Sequence, residues 1–153
     1  HIKRAHRKGL KPAVRLNGTS DIAWELVYPD MMPKFSEVQF YDYTKFPINK
    51  RTRIPANYDL TFSRSESNHD QVIPTLEAGR RVAVVFDVKR NDPLPDTYLG
   101  YPVIDGDLHD MRFLDPQGVI IGLHGKGRAG KDRTGFVVQV EDFRQEIILE
   151  QVA

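Results

Sequence analysis

The chain has 153 residues, 40% hydrophobic and 28% charged, with a net charge of +1. That is room for one domain with a buried core, and it gives no overall bias toward a polyanionic or polycationic partner. Cysteine is absent, which removes disulfides, Cys-ligated zinc, iron–sulfur ligation and a thiol nucleophile from this chain's own residues.

Residues 1–9 read as the tail of a basic helix that stops near Gly9, with Pro12 just beyond. Nothing starts that helix and no initiator Met is present, so residues 1–153 are expected to form a single domain that is a fragment or C-terminal part of a longer protein. Residues 12–17 form the first expected strand, running into Gly18 and a short helix through Ile22, Trp24 and Leu26. Residues 28–34 hold two prolines and read as loop. Residues 38–43 are the second strand, closing on Thr44 and Lys45. A long basic stretch, 46–57, follows, with Lys50-Arg51-Thr52-Arg53 read as a solvated basic face.

Residues 58–63 alternate as a third strand. A helix with Val72, Ile73 and Leu76 on its apolar side then ends at Gly79. The strand at 81–87 is an unbroken, β-branched apolar run ending on Asp87, the pattern of a strand covered on both faces. Residues 91–102 read as proline-rich loop, 103–107 as a short strand or turn, and 110–115 as an alternating segment. Residues 119–123 repeat the buried-strand pattern and end on His124. A glycine-rich loop, 125–130, leads to a last strand at 136–140 and a closing helix at 141–152.

Repeated strand–loop–helix units of this size favour parallel strands. The expected fold is α/β: a partial or small (β/α) TIM-like barrel with parallel strands, or alternatively an open parallel sheet. In either case the polar strand ends gather on one rim, where α/β proteins place their sites. That rim supplies the candidate residues. Asp42, Glu66, Asp105 and Asp107 are the candidates for proton or metal chemistry. Asn17, Asp21, Lys45, Arg64, His124 and Lys126 are the candidates for holding a ligand. Asp105, Asp107 and Asp110 are the candidate ligands of a divalent metal, since hard cations want several oxygens.

Gly125-Lys126-Gly127-Arg128-Ala129-Gly130-Lys131-Asp132 approaches a phosphate-binding loop. Asp132, however, stands where a hydroxyl would hold magnesium. No helix is expected after it to receive an anion.

Three motifs carry a resemblance: Arg15-Leu16-Asn17-Gly18-Thr19-Ser20-Asp21, Phe40-Tyr41-Asp42-Tyr43-Thr44-Lys45 and Leu60-Thr61-Phe62-Ser63-Arg64-Ser65-Glu66. Together they resemble an uncharacterised family of phage and mobile-element proteins, with the likeness running to Val137. The resemblance implies a phage-type accessory protein in the host cytoplasm. It also implies a barrel half distantly like that of radical S-adenosylmethionine proteins. An iron–sulfur cluster is implied only if a cysteine-bearing segment outside this chain supplies it.

The leading expectation is an enzyme-like protein that binds a phosphorylated small molecule or nucleotide-derived ligand at the rim. The alternatives are a non-catalytic nucleic-acid-binding protein, suggested by the basic residues 1–8 and 50–53, and a metal-dependent nuclease. A further class is a module that acts on a host protein. No membrane partner is expected, because no apolar run is long enough to span one. The cofactor and the oligomeric state stay open at this level.

Overall fold

A computed structural model describes residues 2–143. In chain order the elements are α1 (Ile2–Arg7), β1 (Ala13–Arg15), α2 (Trp24–Val27), α3 (Met31–Lys34), β2 (Gln39–Thr44), β3 (Tyr58–Ser63), α4 (Val72–Glu77), β4 (Val82–Phe86), β5 (Thr97–Tyr98), β6 (Tyr101–Asp105), β7 (Ile120–His124) and β8 (Val137–Val138). Short 3-10 turns interrupt the connections at Ile48–Lys50, His69–Gln71, Arg112–Leu114 and Gly127–Lys131.

The strands build one sheet in the order β1-β2-β3-β4-β7-β6-β5, with β8 also paired to β4. Every pairing is parallel except β5 with β6. The sheet does not close. β1 and β5 are its two edges among the described residues, so the open parallel sheet is the architecture and a closed barrel is not. No helix among the described residues is long and apolar enough to cross a membrane.

Strand order dictates what covers each face. From β1 to β4 the chain steps in one direction, and right-handed crossovers put all those connections on one side. Met32 of α3 and Val72 and Leu76 of α4 accordingly pack with Phe40, Leu60, Phe62, Val82, Val84 and Ile120 in the main core. The step from β6 to β7 runs the other way. Residues 106–118 therefore cover the opposite face, where Phe113 meets Tyr41 and a smaller cluster holds Ala83, Val119 and Ile121.

α4 ends as its sequence dictates. Gly79 has φ +70, and the Gly79 and Arg80 N–H groups close the last turn on the Leu76 and Thr75 carbonyls. Pro74 sits in its first turn, where the missing N–H costs nothing.

The sheet forks at its centre. β3 pairs with β4 only at Phe62–Val82 and Ser63–Ala83, and β8 then pairs with Val85 and Phe86. β7 occupies the other edge of β4 along its whole length, so β8 must wedge in where β3 leaves off. Arg64, the residue after β3, locks the wedge by donating to the Gly135 and Phe136 carbonyls at 2.6 and 2.8 Å.

Four local expectations are corrected. Residues 31–34 are a helical turn rather than loop, because Met32 drops into the core with no exposure. Residues 112–114 form a 3-10 turn rather than an extended segment, which buries Arg112 against the sheet. The stretch expected as loop at 91–102 contains β5 and a tight hairpin, with Leu99 and Gly100 both at positive φ. Arg51 leaves the solvated basic face and is buried. Of the closing helix expected at 141–152, residues 140–143 are helical and the remainder lies outside the described residues.

Candidate functional site

Parallel pairing carries the ends of β1, β2, β3, β4, β6, β7 and β8 to one edge of the sheet. The candidates at that edge fall into three groups.

The first group is built by the neighbouring ends of β6 and β7. Asp105 is the last residue of β6 and pairs with Gly122, and His124 is the last residue of β7. Between Asp105 and Asp107 sits Gly106, whose N–H donates to the Gly122 carbonyl at 2.8 Å. A Cβ there would lie 2.5 Å from Ile121 Cγ2 and 2.8 Å from Leu123 Cδ2, so only glycine lets this turn lie flat on β7. The turn aims both carboxylates at His124.

Asp107 Oδ2 lies 2.9 Å from His124 Nδ1 and also accepts the His124 backbone N–H at 3.1 Å. Its Oδ1 accepts from Lys126 Nζ at 2.6 Å. Asp105 Oδ1 accepts the Asp107 N–H at 2.8 Å, which fixes the turn. One ligand atom from each of Asp105, Asp107 and His124 lies within 4.8 Å of the others. Asp110, the third acid expected here, instead pairs with Arg15 at 2.8 Å and interacts with Tyr43. His124 takes its place in the trio.

Electrostatics follow from these contacts. Burial works against an ionised Asp107, but the hydrogen bonds from Lys126 and His124 win and bring its pKa down to about 2. Burial likewise opposes a charged His124, yet Asp107 and the Asp92 carbonyl, 3.1 Å from Nε2, raise its pKa. Both ring nitrogens face oxygen acceptors, so the imidazolium form satisfies every contact.

The second group surrounds the fork. Arg64 Nε approaches His69 Nδ1 at 3.2 Å while its guanidinium holds β8. Lys45 Nζ lies 5.4 Å from the Phe136 ring centre, and its backbone N–H donates to Asp21 at 2.7 Å. Glu66 is exposed, beside Gly135. Beyond Arg64 opens a cleft of about 800 Å³, walled by His69, Tyr98, Leu99, Arg133 and Gln139. The glycine loop leads into this region through Asp132 and Arg133. Its 3-10 turn ends at Asp132, whose carboxylate accepts the Val137 N–H at 3.1 Å and the Thr134 hydroxyl at 2.8 Å.

The third group is enclosed. Asp42 lies two residues short of the end of β2 and is 2% exposed. It accepts the Asn17 N–H at 2.7 Å, the Asn17 amide at 3.3 Å and the Tyr58 hydroxyl at 2.7 Å. Burial raises its pKa against those donors. Asn17 Oδ1 in turn collects Ser20 Oγ, the Ile22 N–H and Trp24 Nε1. These contacts organise the loop after β1.

Beside this group lies a fully enclosed ion pair, Arg51 with Glu25, whose side chains are 2% and 1% exposed. The sequence reading missed this pair, along with Arg81–Asp59 and Arg112–Asp115. No signal in periodicity separates such a residue from its exposed neighbours.

Searches of the curated proteins and of the solved structures returned no match to this chain. One family model does match, described as gene product 88, and it covers residues 1–140, which takes in all three groups. The chain therefore belongs to the gene product 88 family, a phage-type family.

Proposed function

We propose that this phage-type accessory protein binds a divalent cation at Asp105, Asp107 and His124. Through that cation and Lys126 it would hold a phosphorylated or nucleotide-derived ligand. The observation that carries the reading is the meeting of two carboxylates and an imidazole at adjacent strand ends, with ligand atoms within 4.8 Å. The surroundings of His124 add support. A histidine that ligates through one nitrogen needs its other N–H held, and the Asp92 carbonyl stands 3.1 Å from Nε2 for that purpose.

Lys126 supplies the working cycle. It neutralises Asp107 and is itself 69% exposed. A divalent ion taking its place on Asp107 would release the ammonium to a phosphate on the ligand. Mixed oxygen and nitrogen donors suit manganese or zinc better than calcium.

A two-metal nuclease is disfavoured by one observation. It would need acids for a second ion about 4 Å from the first, and Asp110 is engaged with Arg15 and Tyr43 instead. Radical S-adenosylmethionine chemistry would require cysteines that this chain does not contain.

Titration calorimetry with Mn²⁺ tests the proposal. Asp107→Asn and His124→Gln should each weaken binding at least about tenfold, as loss of a ligand does, while Lys126→Gln should strengthen it by removing the competing ammonium. A wild-type protein that binds neither Mn²⁺ nor Zn²⁺, or variants that bind as the wild type does, would sink the reading.

A further inference from the structure

We infer that the opposite edge of the sheet, where the parallel strands begin, is a docking surface for the sugar–phosphate backbone of a nucleic acid. The inference concerns different residues from the cation site and stands independently of it.

The topology gathers three entry segments there. Residues 8–12 lead into β1, 34–38 into β2 and 50–57 into β3. Hydrogen bonds stitch them side by side. The Gln39 N–H donates to the Pro12 carbonyl at 3.0 Å, and the Phe40 N–H donates to the Asn57 carbonyl at 2.8 Å. The Asn57 side-chain amide reaches the carbonyls of Met32, Phe35 and Val38 at 2.9–3.1 Å. Stretches distant in the chain thus share one edge, and α1 leads directly into the first of them.

What they carry is cationic. Arg4, Arg7 and Lys8 on or just after α1, Lys34 at the end of α3, and Lys50 and Arg53 before β3 are all exposed. None of them is in an ion pair among the described residues. Four other arginines, Arg15, Arg51, Arg81 and Arg112, each hold a carboxylate, and of these only Arg51 belongs to an entry segment, where it is buried. The acid in residues 1–12, 34–38 and 50–57 is Glu37 alone. The protein's net charge is only +1, so this excess is local and must be balanced elsewhere on the molecule. Exposed cations without an ion pair among the described residues, carried on segments that lead to one edge, match a row of phosphates.

An anionic bilayer would also attract these charges, but membrane-surface helices need an apolar face to insert. The apolar side of α1 is already used: Ile2 packs against the main core and Ala5 is half-buried. A polymer read by charge alone is the better fit.

Fluorescence anisotropy with a mixed-sequence single strand and a duplex, at low and higher salt, tests this. If Arg4, Arg7, Lys8, Lys50 and Arg53 each neutralise one phosphate, affinity should fall about 500-fold between about 50 and 200 mM salt, from a slope of about −0.9 per contact. The variant Arg4→Gln/Arg7→Gln/Lys8→Gln should bind more weakly and lose only about 12-fold over the same range. These side chains are exposed, so circular dichroism should show the variant folded.

Lys89→Gln/Arg90→Gln removes two exposed charges elsewhere and should leave binding close to wild type. Four outcomes overturn the inference: no binding at low salt, binding insensitive to salt, equal loss in the Lys89/Arg90 variant, or binding to phosphatidylserine–phosphatidylcholine vesicles without binding to either nucleic acid. A wild-type protein that binds no Mn²⁺ would sink the cation site and leave this surface untouched, so the two readings fail separately.

Discussion

Replacing Gly106 by alanine tests the packing that aims the acidic turn. The added methyl would stand 2.5 Å from Ile121 Cγ2, 2.8 Å from Leu123 Cδ2 and 3.0 Å from Arg112 Nη1. Ordinary carbon–carbon contact is about 3.5–4.0 Å, so the overlap is roughly 1 Å or more. Ile121 and Arg112 are 0% and 1% exposed and have little room to yield. Overpacking of this kind costs about 1–3 kcal/mol. For a chain of this size, about 2 kcal/mol corresponds to a fall in Tm of roughly 4–8 °C.

Function should suffer beyond stability. Moving residues 105–107 off β7 by about 1 Å would stretch the 2.9 Å contact between Asp107 and His124 past hydrogen-bonding range. Mn²⁺ affinity should then drop by at least about tenfold even where the protein remains folded, a loss comparable to removing a supporting group. Thermal melts by circular dichroism, paired with Mn²⁺ titration well below the melting range, provide the assay. Gly18→Ala is the control, since a Cβ at Gly18 meets nothing within 4 Å. A Gly106→Ala protein that melts with the wild type and binds Mn²⁺ equally would refute the reasoning.

Other outcomes follow from the buried charges. Glu25→Gln strands Arg51 in the interior and should cost about 3–5 kcal/mol in a urea titration, whereas Glu25→Leu/Arg51→Met should recover most of that loss. Equal damage from both would show that the pair itself matters less than its packing. Asp107→Asn should lower stability by no more than about 2 kcal/mol, the worth of a shift from 3.8 to about 2. Solvent around Lys126 should reduce that figure. The Asp107 contribution is full above pH 3.8 and fades as pH falls toward 2. The raised His124 contributes fully below pH 6.5 and fades as pH rises through its higher native value. The difference between wild type and variant should therefore peak between pH about 4 and 6.5, and a difference independent of pH would contradict the assignment.

The sheet was legible because its central strands carry no polar residues to confuse the period. Val82-Ala83-Val84-Val85-Phe86 and Ile120-Ile121-Gly122-Leu123 can only be strands covered on both sides, and such strands run parallel. Parallel direction predicts His124 on the shared rim, and the structure sets Asp105, at the end of β6, beside it. Asp110 is drawn to Arg15 for a local reason. The alternation of Met111-Arg112-Phe113-Leu114 imitates a strand, but burying Arg112 beside Asp115 coils the segment and turns Asp110 to Arg15. Arg51 was unreadable for a different reason. Its neighbours Lys50 and Arg53 are chemically alike and exposed, and only the distant Glu25 distinguishes it.

The fork at β4 bears on how the molecule assembles. Val85 and Phe86 find their partner on that side in Val137 and Val138, some fifty residues later in the chain. During synthesis the middle of the sheet must remain an open seam, with backbone groups unpaired, until that distant pair emerges. The central strand is thus among the last places to be finished, and non-local closures of this sort fold slowly and leave edges open to mispairing.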